Sequence, residues 1–179
     1  VTLSQVTRAQ EAHGIVLSGP SLTSTGVGGL MKRFVLLLGR FLPKVRLRQL
    51  DSANNIPIIP PSEEDYYEFA FAPDGESIFF SRATRGIENQ IDIFRVSVFG
   101  GIPEKIVDRT EGSISVSFDG EKLSFIRCPR QEAEWCSLWL TDLKNGRKET
   151  KLTSRPKPIR IGDSDISPDG KSIAFAAGQ

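Results

Sequence analysis

Three copies of one short phrase limit how this chain can fold: Ala72-Pro73-Asp74-Gly75-Glu76-Ser77-Ile78, Ser117-Phe118-Asp119-Gly120-Glu121-Lys122-Leu123 and Ser167-Pro168-Asp169-Gly170-Lys171-Ser172-Ile173. In each, the aspartate suits a tight turn because its carboxylate bonds nearby backbone N–H groups, while the glycine takes the positive φ that other residues avoid. Each phrase precedes an apolar, β-prone segment, so the chain reads as an array of hairpins. Asp74 and Asp119 lie 45 residues apart, and Asp119 and Asp169 lie 50 apart. A period of about 40 to 50 residues is that of a four-stranded propeller blade.

The segments between the turns fit four strands into one period. Glu68-Phe69-Ala70-Phe71 alternates polar and apolar residues, the Asp74-Gly75 turn follows, and Ser77-Ile78-Phe79-Phe80-Ser81-Arg82 forms a second strand. A polar loop leads to Asp92-Ile93-Phe94-Arg95-Val96-Ser97-Val98, and Gly100-Gly101 turns the chain into Glu104-Lys105-Ile106-Val107. The next unit repeats the order: 113–116, the Asp119-Gly120 turn, 122–127, 138–143, the Asn145-Gly146 turn, then 149–152. After Asp169-Gly170 only Ser172-Ile173-Ala174-Phe175-Ala176 follows, so the last unit stops at its second strand. Helices are disfavoured, because Pro, Gly and β-branched residues interrupt every long window and the period is two.

Counting back from Asp74 by one period reaches Gly28-Gly29, where the phrase does not recur. Val45 to Leu50 still reads as a strand, and Pro57-Ile58-Ile59-Pro60-Pro61 suits the close of a unit. The first fifty residues are therefore a degenerate blade or a segment of altered sequence. The predicted fold is all-β, a partial β-propeller of four-stranded antiparallel blades, about two complete and partial ones at both ends. With no initiator Met before Val1, a piece of a longer protein is expected.

Charge and hydropathy narrow the function. With 23 basic and 22 acidic residues the net charge is +1, which provides no global field to hold a polyanion, so no nucleic acid partner is expected. The most apolar run, Phe34 to Leu42, is interrupted by Arg40 and falls short of the roughly 20 residues that cross a bilayer, so this segment is not expected to insert in a membrane.

The remaining motifs have ordinary structural readings. One carboxylate per Asp-Gly turn is too few for calcium, so Asp74, Gly75, Asp119, Gly120, Asp169 and Gly170 are read as structural turns. Thr25-Gly26-Val27-Gly28-Gly29 lacks phosphate-loop spacing, and the lone His13 has no nucleophile or acid partner in pattern. Neither a catalytic residue, a cofactor nor a metal is predicted. Glu63-Glu64-Asp65 beside Tyr66-Tyr67 is either a recognition patch for a cationic ligand or a solvated acidic loop. Arg155-Pro156-Lys157-Pro158-Ile159-Arg160 reads as an extended inter-blade loop without the aromatic interleaving that base stacking needs. Trp135 and Trp139 read as blade packing, with Trp135 partly exposed.

Cys128 and Cys136 flank a polar seven-residue loop between two strand-like runs. If those runs pair antiparallel, the two Cβ atoms face each other within disulfide range, and an oxidising compartment follows. The alternative is two unpaired thiols beside a loop. One distant histidine does not turn the pair into a zinc site.

Phe71-Ala72-Pro73-Asp74-Gly75-Glu76-Ser77-Ile78-Phe79-Phe80-Ser81, Ile91-Asp92-Ile93-Phe94-Arg95-Val96 with Gly100-Gly101-Ile102-Pro103, and Ile166-Ser167-Pro168-Asp169-Gly170-Lys171-Ser172-Ile173-Ala174-Phe175 resemble WD40-like propeller repeats of the TolB type. The resemblance is nearest to the sensor propellers of acidobacterial-type serine/threonine kinases and winged-helix regulators. It covers residues 47–179 and leaves 1–46 as a degenerate or diverged first-blade segment. The family carries Pro where Phe118 stands, which predicts a looser turn there.

The resemblance implies a bacterial parent protein with a cytoplasmic kinase or DNA-binding module, a membrane span and an exported propeller, hence a periplasmic or extracytoplasmic location. The chain itself is expected to be noncatalytic, an interaction or sensor module for a protein or peptide partner that also contacts the remaining blades of its own protein. Two other roles fit similar repeats: the gating propeller of a prolyl-oligopeptidase-like serine hydrolase, and a TolB-like periplasmic scaffold.

Overall fold

The computed structural model describes residues 14–18, 34–39, 45–49, 55–59, 64–84, 86, 90–111, 113–128 and 135–179. Every regular element among them is a strand. β1 (Gly14–Ser18), β2 (Phe34–Gly39), β3 (Val45–Gln49) and β4 (Asn55–Ile59) form one sheet. β5 (Tyr66–Phe71), β6 (Ser77–Ala83), β7 (Ile91–Ser97) and β8 (Glu104–Thr110) form the second. The third holds β9 (Ile114–Val116), β10 (Lys122–Arg127), β11 (Trp135–Asp142) and β12 (Glu149–Pro156), and the fourth holds β13 (Arg160–Ile166) and β14 (Ile173–Gly178). Strands pair antiparallel and lie in chain order within each sheet, as in the blades of a propeller.

The first sheet differs from the partial blade expected of the opening segment. It has four strands, and the boundary at residues 46 and 47 falls inside β3. No Asp-Gly pair marks its turns, so the repeat was invisible to a search keyed on that phrase.

Sheets two to four stack face to face, which explains why β6 lacks the alternation of a half-buried strand. Ser77, Ile78, Phe79, Phe80 and Ser81 are all buried. Phe80 packs with Ile58 and Ile59 of the preceding sheet, whereas Phe79 faces the other way into a cluster with Leu123 and Phe125 of the following one. Each ring removed from water contributes about 2 to 3 kcal/mol. A third cluster joins Ile126, Leu138 and both cysteines to Ile161, with Ile173 and Phe175 packed against it.

The inner strands β5, β9 and β13 lie side by side and are stitched by polar bonds. Ile114 N–H donates to Glu68 Oε2 at 3.0 Å, Ser164 N–H to Ser113 Oγ at 3.2 Å, and Ile166 N–H to Ser115 Oγ at 3.0 Å. This antiparallel order sends the β6–β7, β8–β9, β10–β11 and β12–β13 connections to one end of the arc, here termed the mouth. The Asp-Gly turns, Gly100-Gly101 and Asn145-Gly146 collect at the opposite end, the base.

Candidate functional site

At the base the three Asp-Gly turns are close copies. Gly75, Gly120 and Gly170 have φ of +71°, +71° and +68°, and each N–H closes a tight turn onto the carbonyl of Ala72, Ser117 or Ser167 at 2.8 to 2.9 Å. Asp74 Oδ1 accepts the Glu76 N–H at 2.8 Å, Asp119 Oδ1 that of Glu121 at 2.9 Å, and Asp169 Oδ1 that of Lys171 at 3.1 Å. In the second and third copies the serine hydroxyl also donates to the aspartate at 2.6 Å, holding both carboxyls below the usual range with help from the backbone N–H. Phe118 does not loosen its turn, since the position after the first residue of a type I turn accepts most side chains. These carboxylates are spent on their own backbone.

The mouth has a different chemistry. Tyr67 on β5 and Trp135 at the start of β11 are 51% and 47% exposed, so two large amphipathic rings stand in solvent at this end. Trp135 is held beside the bond between Cys128 and Cys136, whose Cα atoms are 4.2 Å apart; both cysteines are buried against Ile126, Leu138 and Ile161. The bond closes the β10–β11 connection on a packed support. Charged groups surround the rings: Glu64 pairs with Arg82 at 2.9 Å, and Glu111 pairs with Arg160 at 2.8 Å, joining the starts of β9 and β13.

Beneath the β6–β7 connection lies a buried carboxylate, Asp92, 1% exposed. It accepts from Thr84 Oγ1 at 2.7 Å, Gln90 Nε2 at 3.0 Å and the Arg109 N–H at 3.0 Å, with Lys105 Nζ at 3.5 Å. Burial alone would push its pKa up. The bonds from Thr84, Arg109 and Gln90, together with the Lys105 charge, outweigh that and hold the carboxyl below its ordinary range. Arg109 takes φ of +51° where β7 and β8 slip register, which aims its N–H at Asp92. On the inner strands Glu68 behaves oppositely: burial and the nearby Asp163 charge raise its pKa despite the Ile114 N–H.

No family model and no curated protein matches the chain. Solved structures do. TolB from Acinetobacter baumannii superposes with a TM-score of 0.58 at 18% identity, over 74% of this chain and 31% of that one. A protein assigned as TolB from Agrobacterium tumefaciens gives 0.61 at 20% identity, over 79% of this chain and 49% of that one. The fold is TolB-like. A puromycin hydrolase gives 0.66 at 13% identity, over 85% of this chain and 27% of that one. The chain thus spans between about a quarter and a half of the length of these proteins.

Within this TolB-like arc, the acidic and basic segments singled out in the sequence resolve differently from each other. Glu64 is tied to Arg82, Tyr66 is half-buried against Phe69 and Phe80, and Tyr67 alone of that stretch presents a ring to solvent. Arg155 and Pro156 belong to β12 and Arg160 opens β13, so the inter-blade loop is shorter than the sequence suggested; it contains a cis Lys157–Pro158 bond. Trp139 packs with Phe125 at 6.4 Å, inside the blade. Glu63, His13 and the glycines of 26–29 lie outside the described residues.

Sequence reasoning missed Arg127, which bridges two blades. Its guanidinium donates to Asp108 O at 2.9 Å, Arg109 O at 3.2 Å and Glu149 Oε2 at 2.6 Å, and stacks over Phe125 and Trp139. The signal was available: Arg82 and Arg127 fall at the same place after Gly75 and Gly120. Asp92 offered no comparable signal, because the unit that follows has Ser137 at the corresponding position. Among the described residues no cluster of three or more His, Cys, Asp or Glu could hold a metal ion, and no helix is long and apolar enough to cross a membrane.

Proposed function

We propose that this chain is a noncatalytic β-propeller interaction module whose mouth binds a protein or peptide partner. The observation that carries the reading is the pair of exposed rings, Tyr67 and Trp135, each on a strand of a packed blade and one of them braced by a disulfide. Tyr and Trp give large contact area at small entropic cost, and aromatic residues are enriched where proteins meet. Ion pairs around them supply a polar rim.

The bond between Cys128 and Cys136 supports a periplasmic or other extracytoplasmic setting, where such bonds persist. Together with the repeat resemblance, that setting favours a sensor propeller of a larger bacterial receptor kinase or winged-helix regulator, or a periplasmic scaffold of the TolB kind. Peptides selected from a displayed library against the 179-residue chain test the reading. Binders are expected to lose affinity about tenfold on Tyr67→Ala or Trp135→Ala. Binders indifferent to both changes would overturn it.

The likeness to a puromycin hydrolase favours a second reading, the gating propeller of a serine hydrolase. A fluorophosphonate probe applied to the longest natural form of the protein separates the two. Covalent labelling of a serine outside these residues supports the gating role, and its absence supports the sensor.

A further inference from the structure

Each described four-stranded blade from the second onward buries an aromatic pair at one register position. Phe80 on β6 lies opposite Phe94 on β7 with ring centroids 5.6 Å apart, and Phe125 on β10 lies opposite Trp139 on β11 at 6.4 Å. Phe175 stands at the same distance after Gly170 as Phe80 after Gly75 and Phe125 after Gly120. Among the described residues β14 pairs with β13 alone, so the place opposite Phe175 is open.

The surface facing that place already has the shape of a receptor for a ring. One blade earlier, Trp139 lodges in a cluster with Ile93, Ile106 and Val107. The residues in register with these three on the third sheet are Leu138, Leu152 and Thr153, and they line a groove that ends at Phe175. Ile106 and Val107 are 8% and 2% exposed beneath the following blade, whereas Leu152 is 44% exposed. Lys122 and Lys171 flank the groove at the base, the end where a strand antiparallel to β14 would finish. In β11 the residue three positions after Trp139 is Asp142, in register with Lys122.

We infer that the open edge of β14 and this groove form a strand-addition site for an extended peptide segment from outside these residues, with an aromatic side chain opposite Phe175 and a carboxylate three positions later. Backbone pairing with β14 supplies affinity, the ring fills the space between Leu152 and Phe175, and the carboxylate answers Lys122 and Lys171. A second copy of the folded chain is a poor occupant. Among the described strands only β11 carries that spacing of ring and carboxylate, and it is paired on both sides. The site is separate from the mouth, so it stands or falls independently of the proposed function.

The test uses the full 179-residue chain and a fluorescein-labelled peptide with the sequence of residues 137–142, followed by anisotropy. Saturable binding is expected, weakened about tenfold or more in the Trp139→Ser peptide. Amides of Ile173–Gly178 should exchange more slowly in the complex. Lys171→Glu, a change at an exposed position that leaves the fold intact, should weaken the peptide several-fold and reverse the preference toward a peptide ending in Lys. The inference is overturned by lack of saturation up to about 1 mM, by equal binding of the ringless peptide, by protection that maps away from β14, or by self-association that the peptide does not dissolve.

Discussion

Asp92 offers the sharpest quantitative test, because one carboxylate serves donors from both flanking strands and from the connection above it. Asp92→Asn keeps the volume but removes the charge and turns an NH2 group toward groups that can only donate. Four donors converge on the site: the Thr84 hydroxyl, the Gln90 amide, the Arg109 N–H and, further away, Lys105. The amide oxygen of Asn can still accept from one or two of them. Bonds to a charged acceptor contribute about 1.5 to 3 kcal/mol each. Losing the charge assistance and stranding one buried donor should cost about 2 to 3 kcal/mol in all. With a urea slope of about 2 kcal/mol/M, the unfolding midpoint falls by about 1 to 1.5 M at pH 7. Asp92→Ala should cost more, about 3 to 5 kcal/mol, since no acceptor remains. Tryptophan fluorescence and circular dichroism, read in parallel, give the midpoint. The pH dependence has a definite sign. A carboxyl whose folded pKa lies below its unfolded value of 3.8 stabilises fully above that value and loses its contribution as pH falls through the folded one. The gap between wild type and Asp92→Asn should therefore be flat from neutral pH to about 4 and close below it. A midpoint shift under about 0.3 M at pH 7, or a gap unchanged down to about pH 2.5, refutes the role given to Asp92.

Arg127→Ala should lower stability by about 2 kcal/mol, and Arg127→Lys by about half of that, because an ammonium cannot reach Asp108 O, Arg109 O and Glu149 together; urea unfolding reads both. Ala72→Ser should raise the urea midpoint by roughly 0.3 M by supplying the hydroxyl that Ser117 and Ser167 use to brace their aspartates, and no change or a decrease would count against that account of the turn. Under denaturing, non-reducing conditions a thiol reagent should find no free cysteine, and the Cys128→Ser, Cys136→Ser double variant should lose about 2 kcal/mol, from a closure spanning a sequence separation of 8.

The parts of this structure that were legible in the sequence are those where one residue determines its own backbone. Gly75, Gly120 and Gly170 take the positive φ that their aspartates brace, and three such sites at a near-constant spacing are enough to count blades. The first sheet escaped because its strands are joined without that punctuation. Strand faces were harder to read, for a physical reason. A blade in the middle of the arc is covered on both sides, so the run from Ser77 to Ser81 is buried throughout and period two carries no information about which neighbour each ring meets. The Asp92 cluster was illegible for another reason: it depends on Arg109 adopting a conformation for which arginine has no preference, imposed by a register slip between β7 and β8.

This contrast bears on where function lies in a repeat of this kind. Residues that recur with the period, such as the Asp-Gly turns and the Arg82 and Arg127 pair, are committed to holding blades together, and their polar atoms are occupied within the fold. The residues that break the period have no such duty. Trp135 stands in a connection for which the preceding blade supplies a different sequence, Tyr67 projects from an inner strand whose counterparts carry serine, and Ala177 replaces the bridging arginine next to the open edge of β14. Selection on blade packing cannot have placed an exposed tryptophan and tyrosine at one end of the arc, since solvent-facing rings add nothing to the core. The departures from the repeat, rather than the repeat itself, are therefore where a partner is to be sought.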